Sequence, residues 1–363
     1  MRVLVLNPGS STLKAALVLA ESGEVLADDT IEWQAGQDGA AAMVAMAIEG
    51  LSSDTAEAVG YRVVHGGSRY QASSAVDAAL LSAVEELDEL APLHNRRAAS
   101  VMRAAIQLLP DLAHVACFDT AFHADLPEAA QRYALPSEWV ERWGVRRYGF
   151  HGLSVTWAVR RASELLGRPR EDLALVVAHL GSGCSVTAVN GGRSVDTSMG
   201  FTPYEGLMMG TRAGSVDPGI LLRLATDGMS ADELADGLGH RSGLVAIAGT
   251  SDVREIERRA TAGDGAARLA VDMFVRRAAA CIAAAATSLP RIDALVFTGG
   301  IGEHSHLVRA AIVRRLGCLG GIPGDVRDAD ADAVLANGQA SVLVVQARED
   351  RVIAEEVAAW LQP

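Results

Sequence analysis

Lys14 is the single lysine among the 32 Lys and Arg residues of this chain. It closes the run Asn7-Pro8-Gly9-Ser10-Ser11-Thr12-Leu13-Lys14. The apolar stretch Val3-Leu4-Val5-Leu6 leads into that turn, and Leu13–Val18 leaves it as a second strand. Hydroxyls, free backbone N–H groups and one ammonium at a strand–turn–strand suit a phosphate chain, because nested amides bind anions and lysine adds a point charge. An ordinary hairpin with a solvated lysine is the alternative. Two more small-residue turns follow apolar strands: His179-Leu180-Gly181-Ser182-Gly183 and Thr298-Gly299-Gly300-Ile301-Gly302-Glu303-His304. None of the three matches G-x-x-x-x-G-K-[ST] or G-x-G-x-x-G, so neither a Walker A loop nor a Rossmann fingerprint is present. The chain also lacks H-E-x-x-H and G-x-S-x-G, which argues against metalloprotease and α/β-hydrolase chemistry.

The elements that position these turns are legible from periodicity. Strands are expected at 2–7, 13–19 and 24–32, a helix at 39–50, and a strand at Ala58–Val64 that runs into His65-Gly66-Gly67. Residues 76–90 and 95–109 have helical spacing, and Leu112–Phe118 reads as a buried strand ending at Asp119. A loop-rich stretch up to Gly152 is the expected crossing between domains. The opening pattern then recurs in Leu175–Val189, followed after the Asn190-Gly191-Gly192 turn by a strand at Arg193–Asp196. This recurrence points to an internal duplication. Helices are expected at 217–227, 231–237, 252–261 and 265–288, with Ser251-Asp252 as the cap of the third. Strands at Ile292–Phe297 and Ser341–Gln346 and a helix at 350–361 complete the pattern.

At 363 residues the chain exceeds one comfortable core, so two domains are expected. Aromatics make up only 4%, so the core must be built from Ala, Val, Leu and Ile. A formal net charge of −13 with no basic run argues against a nucleic-acid partner. Cys117, Cys184, Cys281 and Cys318 form no C-x-x-C pair, which fits a reducing cytosol rather than a disulfide or zinc framework. The first residues enter a strand with no basic-then-apolar signal, and Ala278–Leu289 is too short to span a bilayer. A cytoplasmic protein without a membrane partner is expected.

Seven blocks in order resemble the acetate kinase family. They are Asn7–Lys14, Arg62–Gly67, Phe118–His123, Arg147–Gly152, His179–Gly183, Met199–Arg212 and Phe297–Glu303. The resemblance runs nearly end to end. It implies an α/β fold of two duplicated actin/Hsp70-like (ribonuclease H-like) domains with a nucleotide cleft between them, 1–123 plus 351–363 forming one lobe and 124–350 the other. It further implies reversible phosphoryl transfer from ATP to acetate with Mg²⁺ (Mn²⁺ as a substitute), in a homodimer.

By the same resemblance, Arg62 binds the substrate carboxylate, while Arg212 and His151 stabilise the transition state. Planar bidentate donors suit both the carboxylate and the transferring phosphoryl. The family gives Asp119 an acid/base role. Acetate carries no proton to remove at neutral pH, so Asp119 reads here as a holder of arginine or of metal-bound water. Val64, Leu93, Phe150 and Pro203 correspond to the acyl pocket, and each could equally be ordinary core. Asn7 and Glu349 fall near Mg²⁺, with Asp350 as a residue that could share or take the duty of Glu349. Nucleotide contacts carry over to Lys14, to His179, Leu180, Gly181, Ser182 and Gly183, to Asp252, Val253 and Arg254, and to Gly300, Ile301, Gly302, Glu303 and His304. His65, His94 and His123 read as structural.

The chain departs from the family pattern in several places. Ser182 and His304 stand where asparagines are usual, which puts side-chain amide contacts to phosphate in doubt. Arg96-Arg97 replaces a proline-containing segment, Val155 replaces a histidine, and residues 30–58 hold most of a deletion. Propionate or butyrate kinases are the nearest rivals. The Arg147–Gly152 block favours the two smaller acids, which one methylene in an apolar pocket separates by only about 1–3 kcal/mol. A catalytically degenerate member is a further rival, and an Hsp70-type binding protein lacks residues for a peptide domain.

Overall fold

The computed structural model describes residues 1–9, 12–33, 39–51, 55–90 and 94–362. The chain forms two compact units, Met1–Ala124 with Phe150–Trp157 and Arg348–Pro363, and Asp125–Gly149 with Ala158–Ala347. Residues 150–157 therefore group with the first unit, whereas the sequence-based boundary places all of 124–350 in the second lobe. The reason is local: the Gly152 N–H donates to the Asp119 carbonyl at 2.9 Å, and the His123 ring bonds the Phe150 carbonyl at 3.0 Å.

The first unit is built on a six-stranded sheet: β1 (Arg2–Pro8), β2 (Thr12–Leu19), β3 (Glu24–Glu32), β4 (Ala58–Val63), β5 (Ser74–Ala75) and β6 (Ala113–Phe118). Their spatial order is β3-β2-β1-β4-β6-β5. The first three strands form an antiparallel meander, and β4 and β6 extend it in parallel from β1. The core on one side gathers Leu4, Leu6, Leu13, Tyr61, Val101 and Met102. Burying each such side chain contributes roughly 1.5–3 kcal/mol relative to exposure. The C-terminal helix Glu349–Leu361 returns to this unit and buries Val352, Ile353, Ala354 and Val357.

The second unit repeats the plan with β7 (Ala174–Leu180), β8 (Cys184–Asn190), β9 (Arg193–Thr197), β10 (Ala294–Thr298), β11 (Ala333–Ala336) and β12 (Ser341–Val344). Their order is β11-β12-β10-β7-β8-β9. Here too the first three strands are an antiparallel meander and the next two run parallel to its first strand. Each sheet ends in a short antiparallel edge strand, and each meander carries a register shift between its second and third strands. The duplication expected from the two hairpins is thus a repeat of topology. β7 and β10 are buried throughout, and the helix Gly265–Ala286 lays an alanine-rich face, including Ala267, Ala270, Ala278 and Ala279, into this core.

Sequence and structure differ in places. The helix expected at 76–90 is Ala78–Glu86 followed by a tighter turn, and the glycine-rich segment after β10 is itself a short helix, Gly299–His304. The helix Gly152–Leu166 and the edge strands β5 and β11 were not expected. Among the described residues no helix is long and apolar enough to cross a membrane.

Candidate active site

At the carboxyl end of the first sheet, register alone brings three site residues into a row. Asn7 is directly opposite Lys14 on β2, and Arg62 lies one residue beyond the Leu6↔Tyr61 pair of β1 and β4. Registered neighbours share a face, so Lys14, Asn7 and Arg62 lie side by side across three strands. Asp119 follows β6, the strand next to β4, and its N–H is held by the Val63 carbonyl at 3.0 Å.

The side chains then lock together. Arg62 Nε donates to both Asp119 oxygens at 3.2 and 3.1 Å, and Nη2 donates to Oδ2 at 2.7 Å. Its Nη1 faces Asn7 Oδ1 at 3.3 Å and Glu349 Oε2 at 3.3 Å, and Asn7 Nδ2 donates to the same Glu349 oxygen at 2.9 Å. Asp119 is fully buried, while the Arg62 and Glu349 side chains keep 15% and 13% of their exposure. Burial is the strongest influence on Arg62 and opposes its charge, but Asp119 and Glu349 overcome it and hold the guanidinium more firmly protonated. Burial also dominates Asp119 and raises it to about 6, with Arg62 pulling down, Glu349 pushing up and a His151 backbone N–H bond lowering it. The partners thus respond in opposite senses. Three N–H bonds from a permanent cation make the ionised pair the state at neutral pH.

His151 is the only non-glycine residue with a left-handed backbone among those described, at φ 59°. Strain of about 1–3 kcal/mol of this kind collects at functional sites. His65 and His123 are fully buried. The Gly67 N–H donates to His65 Nδ1 at 3.0 Å, and burial lowers His123 to about 4. Asp350 is turned to Arg348, with bonds of 3.0–3.2 Å. Val64 and Phe150 are buried beside this cluster's strands; Leu93, like Ser10 and Ser11, lies outside the described residues.

The second unit carries the other turns. The tight turn after β7 is closed by the Gly181 N–H to the Gly183 carbonyl at 3.0 Å, with Leu180 fully buried and Ser182 exposed. The Gly210 N–H reaches the Ser182 carbonyl at 3.3 Å, tying the Met199–Arg212 block to this turn. Gly299 has φ 77°, and a Cβ there would lie 2.8 Å from the Leu180 carbonyl oxygen and 3.1 Å from His179 Nε2. Only glycine lets the two turns approach so closely. Behind Gly300–His304, the fully buried Arg309 donates to the Gly302 and Glu303 carbonyls at 2.9 and 2.6 Å. Glu303 Oε1 accepts the Ala347 N–H at 3.0 Å, and His304 is solvent-exposed. Asp252 caps the helix Val253–Thr261, as expected, and bonds Arg254; Glu257 of that helix pairs with the Ser305 hydroxyl.

Arg212 is 9% exposed, and burial lowers its pKa. Its Nη1 donates to the Pro203 carbonyl at 2.7 Å, and among the described residues no carboxylate pairs with it. A guanidinium buried without a counter-ion favours an incoming anion. Sequence reasoning assigned no role to Arg309, or to Tyr133 and Glu205, which brace the segment before Arg212. Glu205 lies inside a recognised block, but nothing in its spacing names its partner.

The Acetokinase family description matches residues 40–355. The chain belongs to this family. It is 45% identical to the acetate kinase of Deinococcus radiodurans over 393 aligned positions, covering 99% of this chain and 98% of that one. An alignment of 393 positions over 363 residues leaves at least 393 − 363 = 30 positions where the family relative has residues this chain lacks. Among solved structures, the Francisella tularensis propionate kinase has a TM-score of 0.89 at 34% identity, covering 98% of each chain. Porphyromonas gingivalis acetate kinase has a TM-score of 0.87 at 33% identity, covering 99% of this chain and 100% of that one. The family thus accounts for the fold and makes the chain a phosphotransferase that uses ATP.

Proposed function

We propose that this chain transfers the γ-phosphoryl group of ATP to acetate, reversibly, giving acetyl phosphate and ADP. Beside family membership, the observation that carries this reading is Arg62, a guanidinium fixed between Asp119, Asn7 and Glu349. An acetate oxygen forms the new bond to phosphorus, the bond from phosphorus to the β-phosphate oxygen breaks, and ADP leaves with the electron pair. No proton moves, so no general base is required. Two anions must instead be brought together, and charge neutralisation with in-line positioning supplies most of the rate. Arg62 takes the carboxylate, oriented by Asp119. Arg212 and His151 stabilise the charge of the transferring group. Lys14, His179–Gly183, Asp252–Arg254 and Gly300–His304 hold the nucleotide, mostly through backbone amides at the two turns.

Asp119 and Glu349 around one guanidinium leave a local charge of −1, presented on hard oxygens. No cluster of three or more His, Cys, Asp or Glu is present among the described residues. Such a donor set fits Mg²⁺, or Mn²⁺ in its place, which takes one or two protein carboxylates and completes its shell with water and phosphate. Asn7 and Glu349 would hold it, and the ion would supply neutralisation of phosphate charge. By the family resemblance Val64, Leu93, Phe150 and Pro203 are the residues assigned to the acyl group of the substrate. The four cysteines are free, which supports a cytoplasmic enzyme, and a homodimer is the assembly we favour.

The resemblance to a propionate kinase structure favours propionate as a second acceptor. The test is purified protein with ATP, Mg²⁺ and two- to five-carbon acids, trapping the acyl phosphate as hydroxamate. Acetate giving the highest kcat/KM, with propionate next, is the expected result; product with neither overturns the reading.

A further inference from the structure

The backbone of Arg212 is fixed from one side. Its carbonyl accepts the Met209 N–H at 3.0 Å, and the Thr211 carbonyl accepts the Ser242 N–H at 3.0 Å. The direction of its side chain is set from elsewhere, by the bond from Nη1 to the Pro203 carbonyl at 2.7 Å. What holds Pro203 therefore decides where the guanidinium points.

Pro203 lies in a segment without regular structure between β9 and Arg212, and a compact set of groups clamps that segment. The Tyr133 hydroxyl donates to Glu205 Oε2 and accepts the Phe201 N–H at 3.0 Å, so one oxygen bridges both flanks of Pro203. Arg147 donates through Nη2 to Glu205 Oε1 at 3.1 Å and through Nη1 to the Ser198 carbonyl at 3.3 Å, with its guanidinium carbon 5.3 Å from the centroid of the Tyr133 ring. The Tyr148 N–H bonds the Gly200 carbonyl at 3.0 Å. The clamp closes directly over Gly200, where a Cβ would lie 1.8 Å from the Tyr133 oxygen and 1.9 Å from Glu205 Oε2. Burial, aided by Glu205, keeps the tyrosine protonated and so a donor.

We infer that Glu205, latched by Tyr133 and Arg147, is a positioning residue that aims Arg212 through the Pro203 carbonyl. This rests on the reading of Arg212 given above. Glu205 touches neither substrate in this account. Its carboxylate satisfies Tyr133 and Arg147 at once, and the two-point hold stops the 198–205 segment from shifting. A shift of about an ångström in a group that acts on the transition state lowers turnover by up to about a hundredfold while leaving ground-state binding largely intact.

The experiment compares wild type, Glu205→Gln and Tyr133→Phe, with Glu128→Gln as a control. Glu128 pairs with Arg132 in an exposed bridge on the same stretch of chain. The expected result for both latch variants is a fall in kcat of about tenfold or more, with KM for ATP and acetate within about twofold of wild type. Binding of a complex of ADP, aluminium fluoride and acetate should weaken by a similar factor, while ADP alone binds as before. In an Arg212→Lys background the Glu205→Gln change should have little further effect on kcat, because the group it aims is already altered. Unchanged kcat in both variants overturns the latch, as does a rise in both KM values at constant kcat or full additivity with Arg212→Lys. Inactive wild-type protein would instead overturn the functional reading and the latch with it.

Discussion

Arg62, part-buried, and Arg212, buried, are guanidinium groups in opposite electrostatic situations, and that difference separates the consequences of removing them. Arg62 neutralises Asp119 and contacts Glu349, so Arg62→Ala leaves buried negative charge unpaired and should cost roughly 3–5 kcal/mol of stability. Arg212 has no carboxylate partner among the described residues, so Arg212→Ala relieves an uncompensated charge and should leave the denaturation midpoint at or above that of wild type. Turnover should fall in both, by about 10³–10⁵ for Arg212 by analogy with arginine fingers. Denaturant titration beside steady-state kinetics checks this; near-wild-type turnover in Arg212→Ala removes it from the transition state. His123 gives a pH prediction. Burial holds it at about 4 against an ordinary 6.5, so its contribution to stability is complete above about 6.5 and is lost as pH falls towards 4. Over that window the unfolded chain binds the extra proton, and the loss amounts to a few kcal/mol. Melting midpoints from pH 4 to 7 should show a shallower pH slope for His123→Gln than for wild type, and identical slopes would exclude His123 as the titrating group.

The short helix Gly299–His304 shows how an element can depend on one buried side chain. Arg309 takes its last carbonyls and reaches Asp328, which lies in the following loop. Arg309→Met keeps the bulk but leaves two buried carbonyls without their donor, at about 1–3 kcal/mol each. The helix should loosen, raising KM for ATP several-fold while kcat at saturating ATP stays near wild type. An unchanged KM would take Gly300–His304 out of the nucleotide site. Nothing in the sequence marks Arg309 for this task, since its partners are backbone carbonyls. The hairpins were legible because apolar runs bracket a turn that demands special residues, as in Asn190-Gly191-Gly192, where both glycines have positive φ. β5 and β11, two and four residues long, are too short for a period to register. In Gly152–Leu166 the small, hydroxyl and β-branched residues of its first turns mask the helical period, so no element was expected between the loop-rich stretch and the strand at Leu175. Arg62 and Asp119 could be nominated from where they stand, at strand ends and in recognised blocks, whereas Glu349, at the start of the last helix, came from the family resemblance alone. Their mutual hydrogen bonds depend on register between β1, β4 and β6, which only the folded sheet supplies.

At the scale of the whole chain, the repeated sheet topology explains why each unit has an independent core, while the return of Glu349–Leu361 makes the first unit depend on residues far away in the sequence. One element has no such internal justification. The helix Pro218–Thr226 is well started, with Asp217 capping the Gly219 N–H at 2.8 Å and proline in its first turn, yet it contributes no buried residue. Leu222 is 70% exposed and Ile220 53%, and the next helix, Ala231–His240, buries only Gly239. A nine-residue helix is marginal in water without tertiary packing, and adjacent exposed aliphatic side chains are a usual mark of an interface. A second copy of this chain is the occupant that agrees with the homodimer proposed above. Wild-type protein should therefore sediment as a dimer at micromolar concentration, and the Ile220→Glu, Leu222→Glu double variant should shift to monomer with an unchanged far-ultraviolet circular dichroism spectrum. A double variant that remains dimeric would move the interface elsewhere, and monomeric wild type over the same range would remove the homodimer altogether.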